Sequence, residues 1–128
     1  MIQPLAFCTA IVVSVLSCTA AQKPLMINKE SDGKIIIVNR TRPFTIALPG
    51  NASTGFAWHI RDLDTTKLIK NGPGSFVGRD TVPGTSGTFF LGFLPRKKGV
   101  STITLTYHRD FEIDVPPADS FRVTIRVK

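Results

Sequence analysis

A chain of 128 residues has room for one small domain with a single core, and its 42% hydrophobic and 20% charged residues mark it as globular rather than disordered. Sixteen Lys and Arg against nine Asp and Glu leave a formal net charge of +7, so the partners to consider are nucleic acid or an acidic protein. No internal repeat or low-complexity tract is present, which excludes solenoids, propellers and linker-like tails.

Residues 1–22 differ in kind from the rest, because every charged residue lies beyond them. Leu5-Ala6-Phe7 and Ile11-Val12-Val13-Ser14-Val15-Leu16 form an apolar stretch, and the small residues Ser17-Cys18-Thr19-Ala20-Ala21 follow. This is the pattern of a cleavable signal peptide over residues 1–21, although the usual basic start is missing. The stretch is short for a membrane anchor and is interrupted by Pro4 and hydroxyls. A lipoprotein signal with Cys18 as the anchored residue ranks second, since Leu16 stands where a small residue is usual. The expectation is an exported domain over residues 22–128, periplasmic or secreted, monomeric and without a transmembrane segment. Both cysteines, Cys8 and Cys18, fall in the leader. Apart from a lipidated Cys18, the mature domain would then have no disulfide, no thiol nucleophile and no cysteine-ligated zinc.

The polar stretch 23–34 reads as loose chain ending in the turn Ser31-Asp32-Gly33. Lys34-Ile35-Ile36-Ile37-Val38 is β-branched and predicts a strand with both faces partly covered. Phe44-Thr45-Ile46-Ala47-Leu48 alternates apolar and polar and predicts a half-buried strand, and Phe56, Trp58 and Ile60 predict another. Residues 61–70 fit either one helical turn or a weak strand. After the turn Asn71-Gly72-Pro73-Gly74 comes a short strand, Ser75-Phe76-Val77-Gly78, and then a Gly/Ser/Thr loop over 79–87. Residues 88–94 form a strand with Phe89, Leu91 and Phe93 on one face. A basic turn, Arg96-Lys97-Lys98, leads to a strand over 102–107 with Ile103, Leu105 and Tyr107 on one side. An irregular loop containing Pro116-Pro117 precedes a closing strand of alternating Phe121, Val123, Ile125 and Val127. Seven to eight short strands and no long helix predict an all-β, immunoglobulin-like sandwich of antiparallel strands, whose loops gather at its two ends.

Between the second and third strands lies Pro49-Gly50-Asn51-Ala52-Ser53-Thr54-Gly55, whose turn chemistry suits a tight loop with a small-residue tip. No catalytic constellation is legible. His59 and His108 stand apart in sequence, neither paired with a nucleophile nor with a second ligand at metal spacing, and they read as structural. Gly84-Thr85-Ser86-Gly87-Thr88 is not a nucleophile elbow. No cofactor, metal or enzymatic activity is expected. Export argues against nucleic acid, and no basic–aromatic stripe is visible.

Three segments carry a resemblance. Asn51-Ala52-Ser53-Thr54-Gly55-Phe56 resembles the Asn-Pro-Thr-Thr-Gly-Phe/Tyr signature of the chagasin family, which inhibits papain-like cysteine peptidases. Gly84-Thr85-Ser86-Gly87-Thr88 resembles its Gly-x-Gly-Gly loop, with Ser86 at the middle glycine. Leu105-Thr106-Tyr107-His108-Arg109-Asp110-Phe111 resembles its Leu-Thr-Tyr strand end and Arg-Pro-Trp/Phe loop, with Asp110 in place of proline. The resemblance implies reversible, competitive, tight-binding inhibition by three loops entering a peptidase cleft. Asn51 to Phe56 would form the central loop, with Ser53 and Thr54 packed over the catalytic pair. Gly84 to Thr88 would grip one cleft wall through its backbone, and Arg109, Asp110 and Phe111 would form the other flank, with Arg109 and Phe111 as anchors. Asp110 adds a charge beside Arg109 and implies weaker or differently selective inhibition. Asn51-Ala52-Ser53 and Asn39-Arg40-Thr41 are also glycosylation sequons, and a glycan on Asn51 would block such a loop. The open alternative is an immunoglobulin-like binding or adhesion module that inhibits no peptidase.

Overall fold

The computed structural model describes residues 24–128, so the predicted leader over residues 1–21 lies outside the described residues. Nine strands follow one another: β1 (Leu25–Ile27), β2 (Ile35–Val38), β3 (Phe44–Gly50), β4 (Phe56–Asp62), β5 (Leu68–Lys70), β6 (Ser75–Gly78), β7 (Gly87–Pro95), β8 (Gly99–Arg109) and β9 (Asp119–Val127). They form two sheets. In one, β1, β3 and β7 lie side by side, and β5 and β6 share the far edge of β7; in the other the order is β2, β9, β8, β4. The described residues contain no α-helix, and no helix long and apolar enough to cross a membrane.

Alternation decides which side of each strand is buried. Phe44, Ile46 and Leu48 of β3 face Leu91 and Phe93 of β7 and, across the sandwich, Ile103 and Leu105 of β8 and Phe121, Val123 and Ile125 of β9. All of these lie in one buried cluster, and Phe44 and Phe93 stack with ring centroids 5.4 Å apart. Side chains of period two, buried on one face only, hold each strand in register, because a slip of one residue would turn the whole apolar set outward.

Three details correct or sharpen the sequence reading. The stretch taken as loose contains β1, which pairs in parallel with β3, followed by a 3-10 turn at Lys29–Ser31. Residues 61–70 hold both alternatives in succession: a single turn closed by the Leu68 N–H on the Asp64 carbonyl at 3.0 Å, in which the Asp64 carboxylate accepts from the Thr66 backbone N–H and hydroxyl, and then β5. β2 pairs in parallel with β9 at the sheet edge, and Ile35 and Ile37 are exposed, so only its Ile36 and Val38 face is covered. The remaining pairings are antiparallel.

Register fixes which loops meet. Gly50 at the end of β3 lies opposite Gly87 at the start of β7, and Gly78 at the end of β6 lies opposite the same Gly87. Phe56 at the start of β4 lies opposite Arg109 at the end of β8. The β3–β4, β6–β7 and β8–β9 connections therefore emerge at one end of the sandwich. The basic turn Arg96-Lys97-Lys98 lies between β7 and β8 at the other end.

Candidate functional site

The central loop is a single 3-10 turn, Ala52–Thr54, capped on both sides. Asn51 is its N-cap: Oδ1 accepts from the Ser53 backbone N–H at 3.1 Å and from the Ser53 hydroxyl at 2.6 Å. Gly55 closes the turn at φ 82°, a left-handed conformation that favours glycine. The Thr54 hydroxyl donates to the Asn51 carbonyl at 2.7 Å. Ala52, Ser53 and Thr54 are exposed at the tip while the Ser53 and Thr54 hydroxyls are tied within the turn.

The sheets pin both ends of this loop. The Asn51 backbone N–H donates to the Tyr107 hydroxyl at 2.9 Å, and the Trp58 indole N–H donates to the Pro49 carbonyl at 3.0 Å. Phe56, Trp58 and Phe89 surround Tyr107, with ring centroids 5.1, 5.1 and 6.2 Å from it. Gly50 passes so close to Phe89 that a Cβ there would lie 2.6 Å from its ring. The bodies of Trp58 and Tyr107 lie within and against the core, and their polar ends hold the loop backbone. The sequence reading placed Trp58 and Tyr107 on strands and missed this second task. The signal available was a Tyr and a Trp next to strand ends bordering the loop.

The two flanking segments are joined to the central one. Asn51 Nδ2 donates to the Gly84 carbonyl at 3.0 Å, linking the first loop to the Gly-rich loop. Gly84 has φ 88°, and Thr85 is held by its hydroxyl on the Val82 and Asp80 carbonyls. Among the described residues no residue other than glycine has a positive φ, so Ser86 stands in ordinary backbone, where serine costs nothing. Gly87 and Thr88 are the first two residues of β7 rather than loop. A side chain at Gly87 would meet the Val77 carbonyl oxygen at 2.1 Å.

On the other side, Arg109 Nε donates to the Thr54 carbonyl at 2.9 Å, and Arg109 Nη1 pairs with Glu112 at 3.0 Å. Its guanidinium lies over the Phe56 ring at 4.4 Å and faces Phe111 at 5.8 Å. Phe111 is 72% exposed, a large apolar side chain held out at the loop tip. Asp110 does not sit against Arg109 as a neighbouring charge; its carboxylate approaches His59 Nε2 at 3.1 Å. His59 in turn stacks on His108 at 4.2 Å, so the two histidines that the sequence separates are neighbours in space.

All the residues singled out from the sequence thus lie at one end of the sandwich, from Asn51 to Phe56 in the middle, with Gly84 to Thr88 on one flank and Arg109 to Phe111 on the other. The arrangement offers no nucleophile paired with a base. It offers a small-residue tip, an exposed aromatic and backbone groups held in a fixed shape.

Among solved structures the chain is similar to the crystal structure of the cysteine protease inhibitor EhICP2 from Entamoeba histolytica, with 21% identity, a TM-score of 0.71, and coverage of 81% of this chain and 94% of that one. It is also similar to the solution structure of Amebosin, with 19% identity, a TM-score of 0.66, and coverage of 84% and 100%. At these identities the likeness is one of fold. A third match, PbICP-C in complex with falcipain-2, aligns at a TM-score of 0.48 and 15% identity over 84% and 92% of the two chains, too loosely to carry loop geometry across. Comparison with curated proteins by sequence found no match. The model of the chagasin family of peptidase inhibitors, I42, matches residues 38–125, from the end of β2 into β9. The chain belongs to the chagasin family, whose members inhibit cysteine peptidases and are not enzymes.

Proposed function

We propose that the protein is an exported, reversible and competitive inhibitor of papain-like cysteine peptidases, which seats its three-loop end in the active-site cleft. One observation carries this reading above the others: the exposed tip Ala52–Thr54 is held by the Asn51 side chain to itself and to the Gly84 loop. A loop already in its bound shape gives up little conformational entropy on association, and small side chains fit where the thiolate–imidazole pair leaves no room for large ones. The Thr54 carbonyl is engaged by Arg109 rather than presented as a scissile group. Phe111, and Arg109 through its stacked guanidinium, supply the kind of anchor that dominates binding energy at interfaces. The Gly84–Ser86 backbone supplies hydrogen-bonding groups to the opposite wall. The net charge of +7 speeds encounter with peptidases whose surface is acidic.

Enlarging the tip tests the reading. Ser53→Tyr leaves every core contact in place and gives up only the Ser53 hydroxyl bond to Asn51, so the variant is expected to keep its circular dichroism spectrum and to melt close to the parent while losing inhibition of papain. It is further expected to stop competing with substrate rather than to become a noncompetitive inhibitor. Unchanged inhibition by Ser53→Tyr would remove the central loop from the cleft.

A further inference from the structure

The chain has two histidines, and the fold places both in one spot. His59 on β4 lies opposite Thr106 on β8, and His108 lies two residues further along β8, opposite Ala57. The histidines are therefore diagonal neighbours on the outer face of the sheet, where long side chains meet. Asp110 completes the group from the loop that follows β8. One ligand atom from each of His59, His108 and Asp110 lies within 4.8 Å of the other two.

Two further observations point to a ligand. His59 Nε2 is buried and makes no hydrogen bond, although an Asp110 carboxylate oxygen lies 3.1 Å away. An unsatisfied buried ring nitrogen beside a carboxylate is a costly arrangement that a bound cation would relieve. His108 is oriented from behind, its Nδ1 lying 3.2 Å from the Thr106 hydroxyl, the kind of outer hydrogen bond that fixes a ligating imidazole. The three side chains border an open groove of about 480 Å³, so an ion has a way in.

We propose that His59, His108 and Asp110 form a site for a divalent transition-metal ion of the zinc type. Two imidazoles and one carboxylate suit Zn²⁺, Ni²⁺ or Cu²⁺, whereas Mg²⁺ and Ca²⁺ call for a cage of oxygens. Metal–ligand bonds of about 2.0–2.2 Å at tetrahedral angles put ligand atoms roughly 3.3 Å apart. The His59–Asp110 pair already stands at 3.1 Å, and the remaining separations, none above 4.8 Å, close by rotation of the His108 side chain and of Asp110, which is 83% exposed in a loop. The fourth position is left to water. A bound ion would tie β4, β8 and the third loop together at the residue between Arg109 and Phe111. The site does not depend on the proposed inhibition, because ion binding is read without a peptidase.

The test is calorimetric titration of the untagged protein with Zn²⁺, alongside Co²⁺ absorption to read coordination geometry and Mg²⁺ as the control. The expected result is saturable binding of one Zn²⁺ per chain, a Co²⁺ spectrum of tetrahedral nitrogen and oxygen ligation, and no Mg²⁺ binding. Asp110→Asn and His108→Gln should each weaken Zn²⁺ at least tenfold, with unchanged circular dichroism. Asp110 is an exposed loop residue, so its variant keeps the test valid should a histidine variant fold poorly. No saturable binding at millimolar Zn²⁺, or binding that Asp110→Asn leaves intact, would overturn the proposal.

Discussion

Asn51→Ala removes the one side chain that both caps the central loop and fastens it to its neighbour. The substitution deletes two bonds accepted by Oδ1, from the Ser53 N–H and hydroxyl, and one donated by Nδ2 to the Gly84 carbonyl. The backbone bond from Asn51 to the Tyr107 hydroxyl and the Thr54 hydroxyl bond to the Asn51 carbonyl remain, so the loop loosens without unravelling. Losing an Asn N-cap costs about 1 kcal/mol, and an exposed neutral hydrogen bond such as the one to Gly84 adds about 0.5 kcal/mol. A sum of about 1.5 kcal/mol lowers the melting temperature of a domain this size by about 5–10 °C. If the same order must be restored when a peptidase binds, the inhibition constant rises about tenfold, mostly through faster dissociation. Asn51→Asp divides the effect, because it keeps the cap on Ser53 but cannot donate to Gly84. It is expected to melt close to the parent and still inhibit less well. The assays are a thermal melt and progress curves of papain activity at several inhibitor concentrations. An inhibition constant within twofold of the parent for Asn51→Ala, despite a lowered melting temperature, would refute the argument that loop order is what binding uses.

Arg109→Lys keeps the charge but loses the planar fork that reaches the Thr54 carbonyl while stacking on Phe56. It is expected to weaken inhibition nearly as much as Arg109→Ala, about tenfold, and full activity of the lysine variant would show that charge alone is used. Gly87→Ala drives a Cβ to 2.1 Å from the Val77 carbonyl and must part β6 from β7, at a cost of about 1–3 kcal/mol. A thermal melt shifted by several degrees is expected, and an unchanged melt would contradict the packing. The Asp64 carboxyl is held below the ordinary carboxylate value of 3.8, first by the Thr66 hydroxyl, then by the Thr66 backbone N–H, with burial opposing and Lys67 assisting. Because the folded value is the lower one, this group stabilises the fold above about pH 4, and the contribution is lost as the pH falls through the folded value. Thr66→Val should raise the Asp64 titration midpoint measured by NMR, and no movement would show that the hydroxyl is not responsible.

Much of the sandwich was legible because one-sided burial writes itself into sequence as period two. Phe44, Ile46 and Leu48, or Phe121, Val123 and Ile125, alternate with polar neighbours and are buried as that pattern requires. Strands of three residues carry no such record. Leu25–Ile27 becomes a strand only because β3 offers a parallel edge, and Leu68–Lys70 because the end of β7 does. Ile35 and Ile37 look like core by composition, yet a strand at a sheet edge with nothing packed on its outer face leaves them in solvent. The three loop motifs could be found in order along the chain, but their joining could not. Asn51 meets Gly84, and Arg109 meets Thr54, through contacts between residues far apart in sequence. The same holds for His59 and His108, which only the β4–β8 register brings face to face.

The central claim is that the three-loop end occupies a peptidase cleft in competition with substrate. The most direct measurement is residual papain activity on a small fluorogenic substrate as the protein is added in increasing amounts. The account predicts a near-stoichiometric loss of activity, relieved by dilution or by excess substrate. Undiminished activity of papain and of several cathepsin-like peptidases at a large excess of the protein would contradict it.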